Sequence, residues 1–141
     1  MKLLLDMLQP SQIYINKAKL EAIIEVINDE GFAALEPIPI KELDTEMVIV
    51  DGHTRALAYH IFDIQEVEVV FEDEELDWQM YRFCVYWAKE NDIFAPQHLE
   101  ERIISNEDYQ VLWIDQCQKA KEYLKNLENA EIKDFDLDFI N

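Results

Sequence analysis

Apolar side chains recur along this chain in two rhythms, and each rhythm predicts an element. Between Ala18 and Asp29, residues Leu20, Ile23, Ile24 and Ile27 fall at i, i+3, i+4 and i+7, the single stripe of an amphipathic helix. Pro10-Ser11 reads as a loop opening toward that helix, and Asn28-Asp29-Glu30-Gly31 closes it, with Gly31 where a left-handed terminus is common. Residues 1–9 mix apolar and polar positions without a sustained period. Proline cannot donate to a ladder, so Glu36-Pro37-Ile38-Pro39-Ile40 predicts an edge strand or a strand start. Leu43 to Glu46 is a polar turn, and Met47-Val48-Ile49-Val50 is a β-branched run suited to a buried strand, so the two segments predict a hairpin. Helical character follows over Ala56 to Phe62, and Gln65 to Phe71 returns to alternation.

Beyond Glu72-Asp73-Glu74-Glu75 the strand chemistry stops. Helical spacing governs Leu76 to Asn91, a short helix is predicted from Pro96 through Arg102, and a longer one runs from Ser105 to about residue 127. Phe135 to Ile140 alternates apolar and acidic side chains, as a final edge strand or a tail taken up by a partner would. The pattern predicts an α+β fold: a small mixed sheet with helices over residues 1–72, then an α-helical extension over residues 73–141. A length of 141 residues suits one domain, and no internal repeat or low-complexity linker divides it.

Composition narrows the partners. Half of the residues are apolar, which supplies a core, and the formal net charge is −19. Both halves are acidic, and a surface of that sign repels phosphate backbones, so duplex DNA binding by a broad basic face is not expected. Met1-Lys2-Leu3-Leu4-Leu5 meets Asp6 at once, so neither a spanning helix nor a secretory signal is expected and the reading is a cytoplasmic protein. Cys84 and Cys117 stand 33 positions apart in helical stretches, the placement of reduced core thiols rather than of a disulfide framework.

Chemistry concentrates in Val48-Ile49-Val50-Asp51-Gly52-His53-Thr54-Arg55-Ala56-Leu57. A buried strand that passes through glycine straight into a helix aims unpaired N–H groups and the positive helix end at one point, which suits a phosphate. Gly52 lets the backbone approach closely, Thr54 supplies a hydroxyl and Arg55 a planar fork for phosphate oxygens. His53 offers a donor, a proton shuttle or a metal ligand, and Asp51 a base or a magnesium contact. The plainer reading is a strand-turn-helix corner with a solvated arginine. His60 and His98 read as surface residues. Glu72 to Glu75 with Asp77 read as a solvated helix start, or as a Mg²⁺ contact. Trp78, Tyr81, Trp87, Tyr109 and Trp113 read as anchors of a helical core, or, for one of them, as a stack for a nucleobase.

One resemblance joins these pieces. Leu8-Gln9-Pro10-Ser11-Gln12, the helix with Leu20 to Ile27, Pro37-Ile38-Pro39-Ile40, Ile49-Val50-Asp51-Gly52-His53-Thr54-Arg55-Ala56-Leu57-Ala58 and Glu66-Val67-Glu68-Val69-Val70 together resemble the ParB/sulfiredoxin-like nucleotide-binding fold over residues 3–72. The resemblance implies that Gly52, His53, Thr54 and Arg55 hold the phosphates of ATP, ADP or CTP, with Mg. The loop resembles the Asp-Gly-His-His-Arg motif of ADP-dependent free-serine kinases, with Thr54 in place of the second histidine. Gln12 stands where those kinases carry a carboxylate, and a glutamine cannot act as a general base. His53 stands where sulfiredoxins carry cysteine, which speaks against their chemistry. Two functions stay open: phosphotransfer or nucleotide hydrolysis on a small substrate, with Asp51 or His53 in acid-base work, or a non-catalytic nucleotide-binding or protein-interaction module with an acidic surface that uses its helical half to bind a protein partner. An acidic mimic of nucleic acid is a third, weaker reading.

Overall fold

The computed structural model describes residues 1–127 and 136–137. Its strands are β1 (Lys2–Leu4), β2 (Leu8–Gln9), β3 (Ile15–Asn16), β4 (Ile38–Leu43), β5 (Glu46–Ile49), β6 (Glu66–Phe71) and β7 (Ile103–Ile104). The α-helices are α1 (Lys17–Glu30), α2 (His53–Ile61), α3 (Trp78–Glu90), α4 (Asn106–Tyr109) and α5 (Asp115–Lys125), with a π-helical turn over Gln110–Ile114 joining α4 to α5. Five strands form a mixed sheet in the order β1-β6-β4-β5-β2, and β3 pairs in parallel with β7. The expected combination of mixed sheet, helices and helical second half is therefore present. The segment Phe135 to Ile140 lies largely outside the described residues.

Helix α1 begins where Asn16 caps it, its Oδ1 accepting the N–H groups of Ala18 and Lys19 at 3.0 and 3.3 Å. Gly31 ends it at φ 84° and ψ 173°, with its N–H on the Ile27 carbonyl; the positive φ fits glycine, but ψ lies outside the left-handed helical well. The hairpin forms as predicted, with Asp44 and Thr45 both at positive φ, the conformation that two-residue hairpin turns demand.

Strand β4 starts at Ile38, directly after Pro37, as the reading of a strand start has it, but it is not an edge. It lies between β6 and β5, with Ile38 opposite Val69 and Ile40 opposite both Phe71 and Ile49. The sheet tolerates Pro39 because of where its missing N–H falls. The Pro39 carbonyl accepts the Val50 N–H at 2.9 Å, so the residue faces β5 just beyond the last pair and costs the parallel ladder nothing. The bond lost is the reciprocal one to the Val50 carbonyl. The Tyr81 hydroxyl of α3 donates to that carbonyl at 3.2 Å, satisfying an acceptor that the proline leaves open.

Helix α2 is packed on two sides. Ala56 and Tyr59 join Leu8, Ile38, Ile40, Ile49, Val67 and Val69 beneath the sheet. Leu57 and Ala58 face a second core that unites Ile13, Ile15, Leu20 and Ile27 with Phe83, Trp87, Leu99, Trp113 and Leu124. The helices after residue 73 thus share a core with the first half of the chain. On the other face of the sheet, Val85 of α3 packs on Leu43 and Val48. Of the five aromatics singled out above, Trp87, Tyr109 and Trp113 are buried, while Trp78 and Tyr81 are half-buried beside Leu43, Val48 and Val85. Cys84 is buried, Cys117 is partly so, and both are free. Burial pushes the Cys117 thiol up to about 12 and that of Cys84 well above the ordinary range, so neither is a ready nucleophile. Among the described residues, no helix is long and apolar enough to cross a membrane.

Candidate functional site

Strand β5 ends at Ile49, and after three intervening residues α2 begins at His53. Gly52 is its N-cap at φ 88° and ψ 25°, left-handed, with no side-chain cap on the helix. His53, Thr54 and Arg55 form the first turn, whose N–H groups have no partner within the helix. The positive φ favours glycine here. A Cβ at Gly52 would stand 2.5 Å from Arg55 Nη2 and 2.8 Å from Nε. The guanidinium therefore lies across the glycine.

Arg55 is held there by the chain itself. Its Nη1 donates to the carbonyls of Glu36 and Pro37 at 3.1 and 3.4 Å, and Nη2 lies 3.9 Å from a carboxylate oxygen of Asp51. Asp51 is 85% exposed in its side chain, Arg55 only 14%. The arginine is preorganised, and Asp51 is open to solvent. Around them lies a cleft of about 460 Å³ whose walls include Gln12, Lys19, Asp51, Gly52, His53, Thr54, Arg55 and Tyr109. Two cations thus face one cleft in a protein of net charge −19.

His53 sits at the back of this corner. It is 4% exposed, and its Nε2 accepts the Ser11 N–H at 2.9 Å. The Ser11 hydroxyl donates to the Ile49 carbonyl at 2.6 Å, so the imidazole and the serine together lash the 10–12 loop to the end of β5. Burial pulls the His53 pKa down to about 4, with Arg55 acting in the same direction and Asp51 opposing. The ring is neutral at pH 7, and its accepting nitrogen is committed. Gln12 is fixed as well: its Nε2 donates to the Tyr14 carbonyl at 2.7 Å and to the Tyr109 hydroxyl at 3.1 Å.

The structure brings Asp51, Gly52, His53, Thr54, Arg55 and Gln12 to one place, and adds Lys19, which has no signal in the local sequence, and Tyr109, one of the aromatics read above as core anchors or a nucleobase stack. Lys19 comes from the exposed face of α1 and lies over the Tyr109 ring, 5.9 Å from its centroid. Tyr109 ends α4, and burial pushes its hydroxyl up to about 12. The other histidines have their own partners: His60 meets Glu100 at 3.1 Å, and His98 Nδ1 accepts the N–H groups of Phe94 and Ala95. Asp77 caps α3 by accepting the Met80 N–H at 3.1 Å. Among the described residues, no group of three or more acidic, histidine or cysteine side chains is arranged to hold a metal.

No protein-family profile matches the chain, and no curated protein does. Solved structures do. Protein Atu1540 from Agrobacterium tumefaciens aligns over 77% of this chain at 15% identity and a TM-score of 0.44, and the match spans 56% of that protein's own length. The C-terminally truncated chromosome-partitioning protein ParB from Caulobacter crescentus, complexed with CTP-gamma-S, aligns over 79% of this chain and 83% of its own at 17% identity and a TM-score of 0.43. The same protein complexed to the centromeric parS site aligns over 89% and 76% at 14% identity and a TM-score of 0.43. The likeness is distant.

Proposed function

We propose that the corner from Asp51 to Arg55 is the phosphate site of a nucleotide-binding protein. The observation that supports this most is the cleft itself: a helix that starts on a left-handed glycine presents its uncapped first-turn amides beside a prefixed guanidinium and the ammonium of Lys19. Backbone N–H groups and the positive helix end favour anionic oxygens, and Arg55 adds donors already paid for in conformational entropy by its bonds to Glu36 and Pro37. In this reading Gly52, Thr54, Arg55 and Lys19 bind phosphate oxygens. His53 holds the loop in shape from behind. Asp51, exposed at the rim, is the group available for acid-base work or for a Mg²⁺ ion carried in with ATP, ADP or CTP.

Catalysis, where it occurs, would be phosphotransfer to or hydrolysis at a small substrate, and it has to run without a carboxylate at Gln12. That glutamine favours the second reading, a module that binds nucleotide without transferring phosphate, since its amide is tied to Tyr14 and Tyr109.

A thermal-shift panel of ATP, ADP, CTP and GTP, with and without Mg²⁺, tests the binding claim. At about 100 times the dissociation constant, a nucleotide adds about 2.7 kcal/mol to the folded state. One member of the panel is expected to raise the melting temperature accordingly, and Lys19→Glu to remove most of the rise. A panel without any shift in the wild type would end the nucleotide reading. Release of inorganic phosphate or nucleoside diphosphate, followed with small hydroxylated metabolites present, then separates enzyme from module.

A further inference from the structure

A second cleft, of about 330 Å³, lies on the other side of Gln12 and His53 and shares both residues with the first. Its walls are of a different kind. Leu76, Met80, Tyr81 and Trp113 make it apolar and aromatic, with Trp113 stacked on Trp87 at 5.1 Å and Tyr81 tilted against Trp78 at 5.3 Å. Two of its polar side chains offer a free acceptor. Gln12 spends both amide hydrogens on Tyr14 and Tyr109, which fixes the side chain and leaves Oε1 without a donor among the described residues. Asp77 uses one carboxylate oxygen to cap α3 and keeps the other. The Tyr81 hydroxyl is spent on Val50.

We propose that this cleft binds a primary or secondary amine in its cationic form, carried on an apolar, ring-sized body. Aromatic walls attract a cation through their ring faces, Asp77 supplies the counter-charge, and Gln12 Oε1 accepts one of the ammonium hydrogens. A carboxylate or phosphate in the same place would meet acceptors and a carboxylate. Burial is the main cause that raises the Tyr81 hydroxyl pKa, followed by Cys84, Asp51 and Glu72. Lys121 is the one cation in the lining; it is exposed at the rim, and its flexible stem lets the ammonium turn to water. The net charge of −19, unhelpful to a nucleotide, draws a cationic ligand in. The two clefts thus differ in kind, with Arg55 and Lys19 in the walls of one and aromatic rings with Asp77 in the walls of the other.

The test uses three probes of one shape, phenethylamine, 2-phenylethanol and 3-phenylpropionate, titrated calorimetrically into the full chain without nucleotide. Phenethylamine is expected to bind saturably and about tenfold more tightly than either of the others. Asp77→Asn keeps an oxygen that caps the helix and is expected to abolish that preference while leaving the melting temperature close to wild type. Absent binding of the amine, equal affinity for all three probes, or a preference that survives Asp77→Asn would each overturn the proposal. No nucleotide enters the experiment, so its failure leaves the reading of the phosphate cleft where it stood.

Discussion

Phe83→Ala is expected to cost about 3–5 kcal/mol, the range for truncating a fully buried aromatic ring. Phe83 has no exposed surface, lies 6.0 Å from the Trp87 ring and 6.4 Å from Tyr123, and belongs to the core that joins α1, α2 and the helices after residue 73. Because that core is shared, the loss is expected to lower one cooperative transition, seen at the same midpoint by tryptophan fluorescence and by far-ultraviolet dichroism. Separate midpoints in the variant, with the sheet outlasting the helices, would show that residues 1–72 fold without their neighbour.

Acid is expected to remove about 3 kcal/mol through His53 alone. In the unfolded chain the imidazole titrates near 6.5, and in the folded one near 4. Between those values the unfolded state holds a proton that the folded state refuses, so stability falls as pH drops, by about 1.4 kcal/mol for each pH unit. The contribution is whole above pH 6.5 and spent by about pH 4. Protonation of Nε2 would set an N–H against the Ser11 N–H that it now accepts. His53→Gln, whose side-chain oxygen can still accept from Ser11, is expected to lose this acid limb while the carboxylates titrate as before. Urea unfolding at pH 7, 5.5 and 4.5 measures it, and parallel profiles for the two proteins would refute a buried, neutral His53.

The long elements were legible because their periods are long. The stripe of α1, the β-branched run of β5, the alternation of β6 and the spacing of α3 each repeat often enough to define a face. Strands β1, β2, β3 and β7 run two or three residues, too few for any period. The central place of β4 was hidden because the local rule for proline holds, but Tyr81, more than thirty residues away, removes its cost. The corner from Asp51 to Arg55 was visible as a strand running through glycine into a helix. The burial of His53 was not, because its partner Ser11 lies in another loop. Nor was Lys19, brought to the cleft by α1, and Tyr109 was visible only as one of five aromatics, with nothing local to say which of them faces the cleft. Local sequence shows where a backbone turns; which side chains meet there depends on pairings it does not contain.

Net charge sets the terms on which the phosphate cleft works. Long-range steering of a polyanion is absent, so binding rests on short contacts from helix-end amides, Arg55, Lys19 and a cation brought with the nucleotide. Amide-resolved nuclear magnetic resonance titration with the nucleotide that gives the largest thermal shift reads those contacts directly. The account predicts saturable shifts that are largest at the backbone N–H groups of Gly52, His53, Thr54 and Arg55, with a smaller response at Lys19. Binding that leaves those four amides unmoved, or that moves amides elsewhere in the chain instead, would contradict it.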